Sequence, residues 1–205
     1  MQNSSTQPIE FVTRKLFDGA ITMDVPKMWL DTSDLRPVPD NQEVFQSNNA
    51  DYPILLSLEL LEQQTHVSDD KAADYFYRDL SNYVGFESSN DVQFFDFFPT
   101  TPLDQMDRSA LMQLGEDIVH MSGGLGLHKN VQISQKGPGS VETSPTPMSV
   151  RIDLAVFRLF QQETDMLLAL QTPLNNPDPL LPQAMDPVLK RAVETLTIQN
   201  WGLFG

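Results

Sequence analysis

The sequence contains no cysteine. Disulfides, zinc–thiolate sites and thiol nucleophiles are therefore excluded, and a reducing compartment is allowed. Positive charge is scarce: 13 Lys and Arg stand against 28 Asp and Glu, a formal charge of −15. A field of that sign repels nucleic-acid phosphates and anionic lipid headgroups, so the expected macromolecular partners are basic surfaces, not nucleic acid or membrane. Long hydrophobic runs are missing too. The most apolar stretch, YPILLSLELLE, is too short and too charged to span a bilayer, and MQNSSTQPIE lacks the basic start and apolar run of a secretory signal. The reading is a soluble, unsecreted protein. Histidine is almost as rare. His66, His120 and His128 match no zinc spacing, and no serine has a nucleophile-elbow context, so neither metal nor triad catalysis is expected. Ser122 to Gly126, SGGLG, lacks both the GxGxxG spacing and the GK[ST] ending of a phosphate cradle and reads as a turn between two strands.

What is present is a chain of 205 residues, 40% apolar, long enough for one domain with a sizeable core. Residues 1–15 read as a flexible leader. The fold is expected to start near Leu16, with two short strands meeting at the Asp18-Gly19 turn, where glycine takes positive φ. In ILLSLELLE, Ile54, Leu56, Leu58 and Leu60 alternate with Ser57 and Glu59, the period-2 pattern of a half-buried strand with Glu59 outward. Glu62 has core parity, so the strand is expected to end or bulge by Leu61, leaving Glu59 and Glu62 on one exposed rim. Ser68 as N-cap, Asp69 and Asp70 at the dipole's positive end, and Ala72, Ala73, Phe76, Leu80 and Tyr83 at helical spacing predict an amphipathic helix.

Further on, VQFFDFF (92–98) and EDIVHM (116–121) are strand-like, and residues 135–148 are expected to form a disordered loop. VRIDLAVFRLF and DMLLALQTPL are joined by QQET, too short for a parallel crossover, and so form an antiparallel hairpin. Both parities of that hairpin are apolar: Ile152, Leu154 and Val156 on one face, Ala155, Phe157 and Leu159 on the other. Such strands need cover on both sides. A C-terminal helix is signalled by Asp186 as N-cap, Pro187, and the stripe Leu189, Ala192, Val193, Leu196, ending near Gln199. The expected class is α+β, a central, mostly antiparallel sheet flanked by helices on both faces.

Acid pairs such as Asp69 with Asp70, or Glu59 with Glu62, are formally a general acid and base, but in so acidic a chain they arise on solvated faces, and nothing assembles around them. A hydrolase would need a pocket closing around Glu59 and Glu62. The stretch SDLRPVPDNQEVF, residues 33–45, invites two readings. Ser33 and Asp34 start a short helical turn that the prolines end. Alternatively, Pro37 and Pro39 stiffen a loop that presents its charged groups to a partner with little entropy left to lose.

SDLRPVPDNQEVF resembles the signature of the Ran guanine nucleotide release factor family, the Mog proteins. LFDGAITMDVP is similar to the family's opening, ILLSLELLE to its next strand, AVFRLFQQETDMLLALQTPL to its late strand pair and NWGLFG to its ending. Asp18 stands where a second glycine is usual, and residues 84–115 match poorly. The resemblance implies a single domain over residues 16–205 with an α/β/α sandwich fold of the kind also seen in PsbP proteins. It implies binding of the small GTPase Ran, promoted release of its guanine nucleotide, a role in nuclear protein import and residence in the nucleus with some cytoplasmic presence. It further implies a monomeric regulator without bond-making chemistry or cofactor. Ran contacts are expected at Asp34, Arg36, Pro39, Asp40, Asn41 and Glu43 of the signature and at Glu59 and Glu62. The rival reading is a PsbP-like non-catalytic accessory or ion-binding protein, marked by a plastid or lumen transit sequence, which these first residues do not resemble.

Overall fold

The computed structural model describes residues 8–49, 53–83, 92–98, 118–131, 148–173 and 185–205. Its spine is an antiparallel sheet of seven strands in the order β3 (Leu30–Asp31), β4 (Gln42–Gln46), β5 (Leu55–Glu62), β9 (Thr164–Pro173), β8 (Met148–Leu159), β7 (Ile118–Val131) and β6 (Val92–Phe98). Every neighbouring pair runs antiparallel. A smaller sheet joins β1 (Phe11–Leu16), β2 (Ile21–Pro26) and β10 (Thr197–Ile198), with β2 in the middle.

The two-sided apolar pattern of the β8–β9 hairpin produces two cores. On one face Ala155, Phe157, Leu159, Met166, Leu168 and Leu170 pack with Leu56 and Leu58 of β5 and with the small sheet. Helix α2 (Asp186–Thr195) closes that layer through Val188, Ala192 and Val193, lying against β2 and β9. On the other face Ile152, Leu154, Val156, Leu167 and Ala169 meet helix α1 (Ala72–Tyr83) through Ala72, Ala73, Phe76 and Tyr77. The class is α+β with a helix on each face, as expected; the small sheet sharing the α2 layer is an addition.

Several local readings are corrected. Residues 11–15, grouped with the leader, form most of β1, because Phe11 to Leu16 find a full antiparallel register on β2. SGGLG is no turn: Ser122 to Gly126 lie inside β7, bonded to β8 along their length. Strand β7 packs with α1. The C-terminal helix ends at Thr195, since Leu196 turns extended and leads into β10. Its N-cap position is Met185, with Asp186 already helical. Ser68 occupies the N-cap position before the turn Asp69–Lys71, but its hydroxyl donates to Asp70 at 2.7 Å and makes no cap bond. The loop expected at 135–148 lies almost wholly outside the described residues.

Candidate functional site

The signature stretch combines both sequence readings. Asp31 accepts from the backbone and hydroxyl of Ser33, at 2.9 and 2.6 Å, and starts a 3-10 turn, Thr32–Asp34. Leu35 and Arg36 donate back to the Thr32 carbonyl, both at 3.0 Å, and the prolines that follow carry the chain away from the turn. The loop is then fastened to β5. Asn41 exchanges bonds with Leu60: its carbonyl accepts the Leu60 N–H at 2.9 Å and its amide donates to the Leu60 carbonyl at 3.0 Å. Gln42 stands opposite Glu59 in the ladder and donates to its Oε1 at 2.8 Å. Asp34, Arg36, Pro39, Asp40 and Asn41 are all exposed.

The structure separates the two acids of β5. The strand continues without a bulge through Glu62, which pairs with Thr164, so strand alternation puts Glu59 and Glu62 on opposite faces and the expected shared rim is not formed. Glu62 escapes burial because the core layer ends before it: Leu60 is only partly buried and Glu62 is exposed. Glu59 is half-buried, on the α1 face. It lines a cavity of about 250 Å³ together with Arg36, Gln42, Ser57, Asp79 and Gln171 over an apolar floor that includes Leu55, Leu167 and Ile152. Neither Arg36 nor Asp79 has an ion pair among the described residues. Glu62 stands at the same end of the sheet as Asp40 and Asn41, since Asn41 grips Leu60.

Glu43 points away from this group. It sits on the opposite face of β4 from Gln42 and accepts the Phe17 backbone N–H at 2.5 Å. Burial pushes its carboxyl above the usual range; the Phe17 N–H opposes that, and nearby Asp31 and Asp18 add to it. Gln42 and Asp79 were not singled out from sequence. Gln42 lay inside the signature run, and Asp79 stands three positions after the buried Phe76 of α1, which was the available signal. No group of His, Asp and Glu able to hold a metal occurs among the described residues.

Comparison with known proteins completes the picture. A family described as "Ran-interacting Mog1 protein" matches residues 14–173. The human protein named Ran guanine nucleotide release factor is 32% identical over 199 residues, covering 93% of this chain and 95% of its own. The Schizosaccharomyces pombe nuclear import protein mog1 is 26% identical, covering 89% and 90%. The crystal structure of the Saccharomyces cerevisiae Ran-binding protein Mog1p superposes with a TM-score of 0.66 at 21% identity, covering 96% of this chain and all of that one, a likeness of fold.

Proposed function

The chain belongs to the Mog1 family of Ran-interacting proteins, and from that premise we infer that it binds the GTPase Ran and promotes release of its guanine nucleotide in support of nuclear protein import. It is a regulator, acting without bond-making chemistry or a cofactor, as a monomer resident mainly in the nucleus. The observation that carries the assignment of the site is the fastening of the signature loop to β5 through Asn41–Leu60 and Gln42–Glu59.

That fastening holds the exposed loop that carries Asp34, Arg36, Pro39, Asp40 and Asn41 against β5, whose Glu59 and Glu62 lie on opposite faces of the strand. A GTPase holds its phosphates and Mg²⁺ with lysine, backbone N–H groups and mobile switch loops. Carboxylates brought against those groups compete for them and repel the phosphates, and a loop already held in shape loses little entropy on docking. In this reading Glu62 and Asp40 make the exposed acidic contact, Glu59 acts from the cavity beside Arg36, and Glu43 serves by holding the loop's exit strand.

The test is stopped-flow release of a fluorescent guanine nucleotide from Ran, comparing the protein with a folded Glu59→Lys, Glu62→Lys double variant. Acceleration by the unaltered chain and none by the variant is the expected result. Absence of any Ran complex with the unaltered chain would sink the assignment.

A further inference from the structure

A buried arginine on β8 takes hold of the chain just beyond Glu62. Arg158 is 1% exposed and its cross-strand partner Asp165 is 0% exposed. The Arg158 Nε donates to Asp165 Oδ1 at 3.0 Å. Its Nη2 donates to the Gln64 carbonyl at 2.8 Å, and Nη1 to the Val67 carbonyl at 2.7 Å and to Asp69 at 2.8 Å. Asp165 uses its second oxygen to accept the Gln64 N–H at 2.9 Å. Gln63 N–H donates to the Glu163 carbonyl at 2.9 Å, and the Gln64 side chain donates to the Glu62 carbonyl, also at 2.9 Å.

We propose that Arg158 and Asp165 are positioning residues for the Ran-directed carboxylate of Glu62, a role that rests on the function inferred above. Between β5 and the turn Asp69–Lys71 the segment 63–68 has no ladder of its own: its backbone makes two short turn bonds, Thr65 to Gln63 and Val67 to Gln64, and is tied at its ends to Glu163 and Lys71. Its middle is held to the sheet by one guanidinium fork and one carboxylate, with Tyr75 adding a bond to the Gln64 side chain at 3.3 Å; the planar guanidinium sets the path of Gln64, whose side chain reaches the carbonyl of Glu62 at the last ladder position of β5. A buried ion pair is a weak source of stability, since apolar residues of similar volume commonly replace it at little cost. Its contribution here is geometric: apolar side chains in the same place would fill the volume and leave the Gln64 and Val67 backbone groups unheld.

That difference supplies the experiment. Nucleotide release from Ran is measured at saturating protein for the unaltered chain, for Glu62→Gln, for the pair Arg158→Met with Asp165→Leu, and for all three changes together, each with a thermal melt. The apolar pair is expected to keep a cooperative melt yet lower the release rate about tenfold, while adding less than about twofold to the loss in the Glu62→Gln background, because residues acting through one group are non-additive. Asp69→Ala, which removes one of the two acceptors of the Arg158 Nη1 and leaves its bond to the Val67 carbonyl, gives a loss of about twofold with the same dependence on Glu62 and serves if the pair fails to fold. Equal losses with and without Glu62, or release at the unaltered rate in a folded pair variant, would overturn the positioning role alone. Full release by Glu62→Gln would instead overturn the assignment of Glu62, and the positioning role with it.

Discussion

Glu43 on the large sheet accepts the backbone N–H of Phe17 in the turn that joins the two strands of the small one. One carboxylate thereby bridges the two sheets at a turn in which Phe17, Asp18 and Gly19 all have positive φ. Because Glu43 follows the signature loop directly, the bridge also anchors that loop's exit.

The bridge has a pH signature. A carboxyl whose folded pKa lies above its ordinary value of 4.5 holds its proton more tightly in the folded chain, so its contribution to stability is largest at low pH and declines as pH rises through that interval. The stability difference between the unaltered protein and Glu43→Gln should therefore drift in the variant's favour as pH rises from about 4 and then level off. Urea melts across that range are the check; a difference independent of pH would refute it.

The same turn separates backbone fit from contacts. Asp18 has φ 54° and Gly19 φ 88°, both in the left-handed region that favours glycine. A Cβ at Gly19 would meet only Cδ of the Lys15 side chain, at an ordinary 3.6 Å, so Gly19→Ala should cost about 1 kcal/mol from conformation alone. Asp18→Gly should be neutral to stabilising by about 0.5 kcal/mol, relief of the left-handed residue being offset by a looser unfolded chain. Denaturant midpoints measure both.

Removing Arg158 alone is a harsher change than replacing the pair. Arg158→Ala leaves Asp165 buried without its counter-charge, and a loss of about 3–5 kcal/mol is expected. A loss below about 1 kcal/mol in equilibrium unfolding would mean that water or a neighbour satisfies Asp165.

Association with Ran should slow as salt rises. A formal charge of −15 steers basic surface toward the molecule, and the steering is screened over about 8 Å at physiological ionic strength. An association rate flat from low to high salt would remove steering from the mechanism while leaving the contact itself intact.

The parts legible in the sequence were those governed by local period. The β8–β9 hairpin, α1 and the apolar side of β5 followed from spacing, and the two-faced apolar strands announced two cores. What spacing misjudged was set by neighbours distant in the chain. Parity points Glu62 inward and so predicts that the strand ends or bulges by Leu61, whereas the strand runs on and the core ends there. Asp69 read as a helix-dipole acid, but its carboxylate pairs with Arg158, and nothing about FRLF marks that arginine as buried. The glycines of SGGLG imitate a turn, since composition does not record the ladder on β8 that keeps them extended. Glu59 was legible as the strand's polar face, yet the cavity around it needs Asp79 from α1 and Arg36 from the loop, brought together only by the fold.

The small sheet closes on residues from opposite ends of the described chain: β10 pairs with β2, and the Asp24 N–H donates to Thr195 Oγ1 across 171 positions of sequence. Topologies dominated by such distant pairings fold slowly, because the entropy of closing the intervening chain is spent before any contact rewards it. The β1–β2 hairpin is local, but docking of α2 and β10 onto it is expected to be a late step. Until then, the face of the large sheet bearing Phe157, Leu168 and Leu170 stands open, and chaperone dependence and aggregation during refolding should track that interval.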